Sequence, residues 1–130
     1  MSIFGAIGIA STGLTVHRKW LDAVSDNLAN LSTVTTTSEA AYQAKYVVAQ
    51  SNAGEGVSVK GIALGSAEGR LTFAPDDPLA DADGYVRMPD IDMSSQMTQL
   101  IMAQRGYQAN AAVVDRAKET YAAALQIGRS

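Results

Sequence analysis

A mainly α-helical fold with a small β-rich middle is predicted by three observations. Apolar residues recur in steps of three and four along both ends of the chain. The centre instead shows short alternating runs separated by glycines and prolines. Helix caps stand at the junctions between these regions. From Ile3 the first stripe runs through Ile7, Ala10, Leu14, His17, Leu21, Val24, Leu28 and Leu31. Counted back from Gly128, the second takes in Ala124, Tyr121, Ala117, Val114, Asn110, Tyr107, Ala103 and Leu100. Such spacing lays side chains along one face of a helix, a face best buried against another helix. Each stripe spans about 45 Å of helix at 1.5 Å per residue. That is more than a small globule requires, so the long terminal helices are expected to form coiled-coil-like packing and to serve assembly.

The elements follow in order. A first helix is expected over residues 1–31, with Ser2 as its N-cap and Asn30 as a left-handed terminator. Gly5, Gly8 and Gly13 weaken its first half, each by about 0.5–1 kcal/mol relative to alanine. Close contact with neighbouring helices would offset that cost, so this end is expected to order on assembly. Residues 32–92 form the small β-rich middle. Thr33 to Ser38 is a polar, β-branched run that disfavours helix. Tyr42–Val48, Val57–Ile62, Leu71–Phe73 and Tyr85–Met88 read as short strands. Pro89 closes the middle, and Asp92 caps a second helix over residues 93–130 that Gly128 stops. Its many alanines favour helix and permit close approach on several faces, where a two-helix hairpin would use only one.

Composition narrows the functional classes. The 130 residues include no cysteine, which excludes disulfides, thiol nucleophiles and thiolate metal sites. Residues 1–31 are neutral, 32–92 hold nine acids against four bases, and 93–130 hold four bases against two acids. No basic cluster exists to neutralise several phosphates, so nucleic acid is not an expected partner. The N-terminal residues lack the basic n-region and apolar h-region of a secretory signal, and no run is apolar enough to span a bilayer.

Candidate chemistry is sparse. His17 is the one histidine, and a lone imidazole without cysteine or a nearby acid makes neither a triad nor a metal shell. It reads as a core or interface residue. Asn110 on the second stripe reads equally as a register-setting buried amide or a solvated position. The stretch from Asp76 to Tyr85 invites comparison with a calcium loop. Placing Gly84 at the sixth position leaves Leu79 at the first, so a ligand is missing and a turn is the better reading. Gly61, Gly65 and Gly69 lack the Lys-Ser/Thr that completes a phosphate loop. Met88, Met93, Met97 and Met102 suit an interface or a core. No catalytic residue, metal ligand or cofactor site is expected, and the chain reads as a non-enzyme.

Two motifs carry a resemblance. Ser25-Asp-Asn27-Leu-Ala29-Asn30-Leu-Ser-Thr33, closing the first helix, is similar to the Asn-Asn-Ile-Ala-Asn segment of bacterial flagellar axial proteins. The run Asp77-Pro78-Leu-Ala80-Asp81-Ala-Asp83-Gly84-Tyr85-Val86-Arg-Met88-Pro89-Asp90-Ile91-Asp92 resembles one in the FlgC family of proximal rod proteins. So does the following helix, with Arg105-Gly-Tyr107-Gln-Ala109-Asn110 and a closing Leu125-Gln-Ile127-Gly128-Arg129. The resemblance covers essentially the whole chain.

It implies a structural subunit of the proximal rod in the bacterial flagellar basal body. Such a subunit is exported unfolded by the flagellar type III apparatus without a cleaved signal, and acts in the periplasm or cell-wall zone. It polymerises with other rod proteins and copies of itself through its terminal helices into a torque-transmitting shaft. On the stripes, the expected assembly residues are Leu14, Leu21, Val24 and Leu28 with Leu100, Tyr107, Asn110, Val114, Tyr121 and Leu125. The flagellar motif adds Asn27 and Asn30. Another flagellar rod protein, or an autonomous secreted helical binder, are the alternative readings.

Overall fold

The computed structural model describes residues 2–129. Helix α1 spans Ile3–Ala29, and the Ser2 hydroxyl accepts the Gly5 N–H at 3.0 Å, satisfying one of the donors that a helix start leaves unpaired. The end of α1 differs from the expectation. Asn30 lies at φ −105°, not in the left-handed region, and no described residue other than glycine has positive φ. Its backbone N–H and its side-chain amide both donate to the Asp26 carbonyl, so the helix closes by capping itself.

Strand β1 is Lys45–Asn52 and pairs antiparallel with β2, Gly56–Leu64. The strand expected at Tyr42–Val48 therefore starts three residues later and runs four further. Before Lys45 the chain holds only scattered bonds, with Ala44 O accepting from Gly65 N and Ala41 N donating to Ala67 O. Beyond Val48, a register shift between Val48 and Ala49 lets the ladder continue to the turn. Gly54 and Gly56 take φ of 75° and 93° there, which a side chain would resist. A second, separate ladder joins β3, Arg70–Phe73, to β4, Tyr85–Met88.

Helix α2 spans Met93–Ile127, with the Asp92 carboxylate accepting the Ser95 N–H at 2.7 Å. Gly128 ends it as expected, at φ −70° in the right-handed region. With 35 residues to the 27 of α1, α2 outruns its partner.

The helices pack antiparallel, and the β1–β2 hairpin lies along α1 on a different flank from α2. The core is thin and built of small side chains: Ala10, Val16, Ala23, Val24 and Ala103 are buried. Ala41, Ala44, Val86 and Ile91 extend it under the β module. Phe4, at the start of α1, meets Tyr121 of α2 edge-on, ring centres 5.2 Å apart.

Candidate assembly interface

The seam between α1 and α2 is set by two glycines. A Cβ built on Gly13 would fall 2.5 Å from the Asn110 amide, and one on Gly106 would fall 2.2 Å from His17 Nε2. Each helix thus provides a bare patch of backbone that receives the polar stripe residue of the other. The arrangement is reciprocal, because His17 and Asn110 also turn back on their own helices. His17 Nδ1 bonds the Gly13 carbonyl at 2.7 Å, and Asn110 Nδ2 donates to the Gly106 carbonyl at 2.9 Å. The polar groups are satisfied locally and still act as steric pegs across the seam. His17 and Asn110 were legible as stripe residues; their glycine seats were not, since nothing local marks which glycines face each other.

At the base of the helix pair lies a buried amide junction. Asn27 is 0% exposed and Gln96 2%. Asn27 Nδ2 donates to Lys45 O at 2.9 Å and to Gln96 Oε1 at 3.0 Å, while its Oδ1 accepts from Lys45 N at 2.8 Å and from Tyr42 Oη at 3.4 Å. One side chain ties α1 to the first residue of β1 and to the first turns of α2. An amide offers two donors and an acceptor with two lone pairs, and here every one is used. Burial raises the Tyr42 hydroxyl above its ordinary pKa. Beside it, Lys45 Nζ meets Asp26 at 2.9 Å, and that bond holds the ammonium above its usual value.

The hairpin tip has its own latch, which sequence reasoning missed. Thr12 Oγ1 donates to Ile9 O at 2.6 Å and accepts from Val57 N at 3.1 Å. Gly56 sits so close that a Cβ would strike the same hydroxyl. The hairpin is therefore fastened to α1 at both ends, by Asn27 and by Thr12.

The β3–β4 unit is held differently. Arg87 exchanges both backbone bonds with Thr35, and its guanidinium donates to the Thr37 and Glu68 carbonyls. Asp81 organises the turn. Its carboxylate accepts from the backbone of Asp83 and Tyr85 and from the Thr37 hydroxyl. Those bonds, led by the one from Tyr85, hold its pKa below the ordinary value. Within the calcium-like stretch, the Asp81 carboxylate is thus occupied as a turn cap.

The expected assembly residues divide into three groups. Asn27 is fully used inside the chain and Val24 is buried with it. Leu14, Leu21, Leu28, Asn30, Leu100, Asn110 and Val114 are half-buried. Tyr107, Tyr121 and Leu125 are exposed. Leu14 and Tyr107 line one open cleft together with Ser11, Thr15 and Arg18. A second hollow of about 330 Å³ lies between α1 and the β1–β2 hairpin, floored by Ala23, Val59 and Ile62 and rimmed by Lys19, Asp22, Asp26 and Lys45.

Comparison with known proteins supplies the context of this geometry. The family model for the C-terminal region of flagellar basal-body rod FlgEFG proteins matches residues 82–127. The flagellar basal-body rod protein FlgC of Yersinia enterocolitica is 37% identical, over 99% of this chain and 100% of its own length. FlgC of Escherichia coli O6:H1 is 35% identical and that of Bacillus subtilis 31%, with the same coverage of both chains. The chain belongs to the FlgC family. That places it among the structural proteins of the flagellar basal-body rod, a family not known for catalysis. In this FlgC-family chain the matched region begins just after Asp81 and comprises β4 and all of α2. Asn27, carried by the flagellar motif, lies outside it, while its Gln96 partner lies within.

Proposed function

We propose that this chain is a subunit of the proximal rod that polymerises with copies of itself and other rod proteins through its helical hairpin, so that torque passes along a rigid shaft. One observation carries the reading. The seam between α1 and α2 is closed by small residues, yet Leu14, Leu21, Leu28, Leu100 and Val114 remain half-buried and Tyr107, Tyr121 and Leu125 exposed. A monomer gains little by keeping that apolar surface in water, whereas a helix of a neighbouring subunit would cover it. Burying one such leucine contributes about 1.5–3 kcal/mol. A growing shaft requires head-to-tail contacts between unlike surfaces, because self-complementary ones close into dimers.

Delivery through the flagellar type III export apparatus fits a chain free of cysteine, which no disulfide can lock before passage. Its place of action is the basal body, where the rod crosses the periplasm or cell-wall zone.

Deletion of the gene, scored by electron microscopy for rods and filaments, tests the role. Loss of both, restored by the gene, is the expected result; intact flagella would reject it. Leu21→Asp and Val114→Asp should then abolish swimming while leaving expression unchanged. Normal motility of both variants would remove the helical surface from the account.

A further inference from the structure

We propose that the middle region also joins subunits, by pairing the free edge of β2 in one copy with the free edge of β3 in the next. This extension rests on the rod-subunit reading and assigns it a second contact surface.

Backbone directions identify the edges. Gly65 N donates to Ala44 O, so residues 65, 63 and 61 face β1 while Ile62 and Leu64 turn their N–H and C=O groups away from it. Ala74 N donates to Gly84 O, and Arg87 bonds outward to Thr35, so Leu71 and Phe73 likewise face away from β4. The outer edge of β4 is occupied, Arg87 by Thr35 and Tyr85 by Asp81. Among the described residues, no partner takes the outward backbone groups of Ile62, Leu64, Leu71 or Phe73.

Those same four residues expose large apolar side chains: Ile62 48%, Leu64 59%, Leu71 57% and Phe73 62%. Open strand edges are ordinarily guarded by charge, proline or a covering segment, and these two central stretches carry none. In one copy they belong to separate sheets and do not pair.

A second copy fits because the edges match in length and chemistry, and charge selects the direction. Antiparallel pairing sets Leu64 opposite Leu71 and Ile62 opposite Phe73, bringing Lys60 alongside Asp76 and Asp77. Parallel pairing would set Lys60 beside Arg70, like against like. The two edges are different surfaces, so their union is head-to-tail and leaves one of each free for the next subunit. A β3-to-β3 contact would instead close a dimer.

The absence of cysteine makes the test direct. In the antiparallel register Ala63 faces Thr72 as a non-hydrogen-bonded pair, about 4.5 Å between Cα atoms, within disulfide reach. Cells carrying only an Ala63→Cys/Thr72→Cys chain should, after mild oxidation, yield basal bodies with a ladder of cross-linked dimers, trimers and higher species. Neither single variant should link to itself. Rods that form normally in this variant but do not cross-link would overturn the edge pairing and leave the rod reading intact. Self-linking of the Thr72→Cys variant alone would also overturn it. If the double variant fails to assemble, Leu71→Pro decides. It removes an outward N–H without removing a β3–β4 bond. Loss of rods from a chain still folded by circular dichroism and still exported is expected, and full swimming would overturn the proposal. Loss of rods on gene deletion tests the underlying reading separately.

Discussion

The α1–α2 seam and the β3–β4 unit solve opposite problems. The seam brings two backbones together over Gly13 and Gly106 and uses polar side chains as pegs that bond their own helices. The β3–β4 unit is an isolated two-stranded ladder, a form only marginally stable by itself. It is anchored by Arg87 to neighbouring carbonyls and carries Leu71, Phe73 and Tyr85 in solvent. One region is finished within the chain and the other is not. A subunit destined for a polymer needs both: a part that defines its shape beforehand, and a part whose apolar surface awaits a neighbour.

The largest effect that breaks this contrast should come from Asn27→Ala. It strands the Lys45 backbone and Gln96 in a buried site, at about 1–3 kcal/mol for each unsatisfied group. A drop of about 3 kcal/mol or more is expected in urea unfolding of the purified chain, and a loss below 1 kcal/mol would mean that water replaces the amide. Gly106→Ala comes next. Alanine favours helix by about 1 kcal/mol, but overpacking against His17 costs about 1–3 kcal/mol, so net destabilisation of about 1 kcal/mol is expected. The double variant Gly106→Ala/His17→Ala should recover most of it, and failure to recover would deny the peg.

Gly8→Ala sharpens the contrast from the other side. No atom lies within 4 Å of the added methyl, so the isolated chain should gain about 0.5–1 kcal/mol from helix propensity. If this stabilised chain swims poorly, Gly8 is where a neighbour approaches in the rod.

The smallest effect is electrostatic and local. Asp81 has a folded-state pKa below its ordinary 3.8, so its contribution is present above that value and is lost as pH falls through the lower folded value. Amide exchange in residues 81–88 should therefore speed up on acidification below about 3.8, ahead of the helices, and Asp81→Asn should abolish the pH dependence. A transition unchanged in that variant would assign the acid sensitivity to another carboxylate.

Much of this was legible in the sequence because its signals are local. The span of α2, the caps Ser2 and Asp92, and the strand Tyr85–Met88 all follow from periodicity and turn chemistry within a few residues. Asn30 misled because asparagine tolerates the left-handed region without requiring it, and a bond to the Asp26 carbonyl served instead. Strand β1 was misplaced because its extent is decided by the ladder with β2, not by its own alternation. For the candidate interface, the half-buried leucines were visible as a stripe. The seats of His17 and Asn110, the Thr12–Val57 bond and the Gln96 partner of Asn27 join residues 45–97 positions apart, and no local pattern records such pairings.

The reciprocal pegs have a mechanical consequence. Sliding α1 against α2 along their common axis would drive the His17 ring or the Asn110 amide out of its seat and over the next side chain, whichever direction is tried. Such resistance comes from van der Waals exclusion, which stiffens within tenths of an ångström and does not depend on ionic strength. A hairpin keyed in this way behaves under shear as a single rod, not as two cylinders lying side by side.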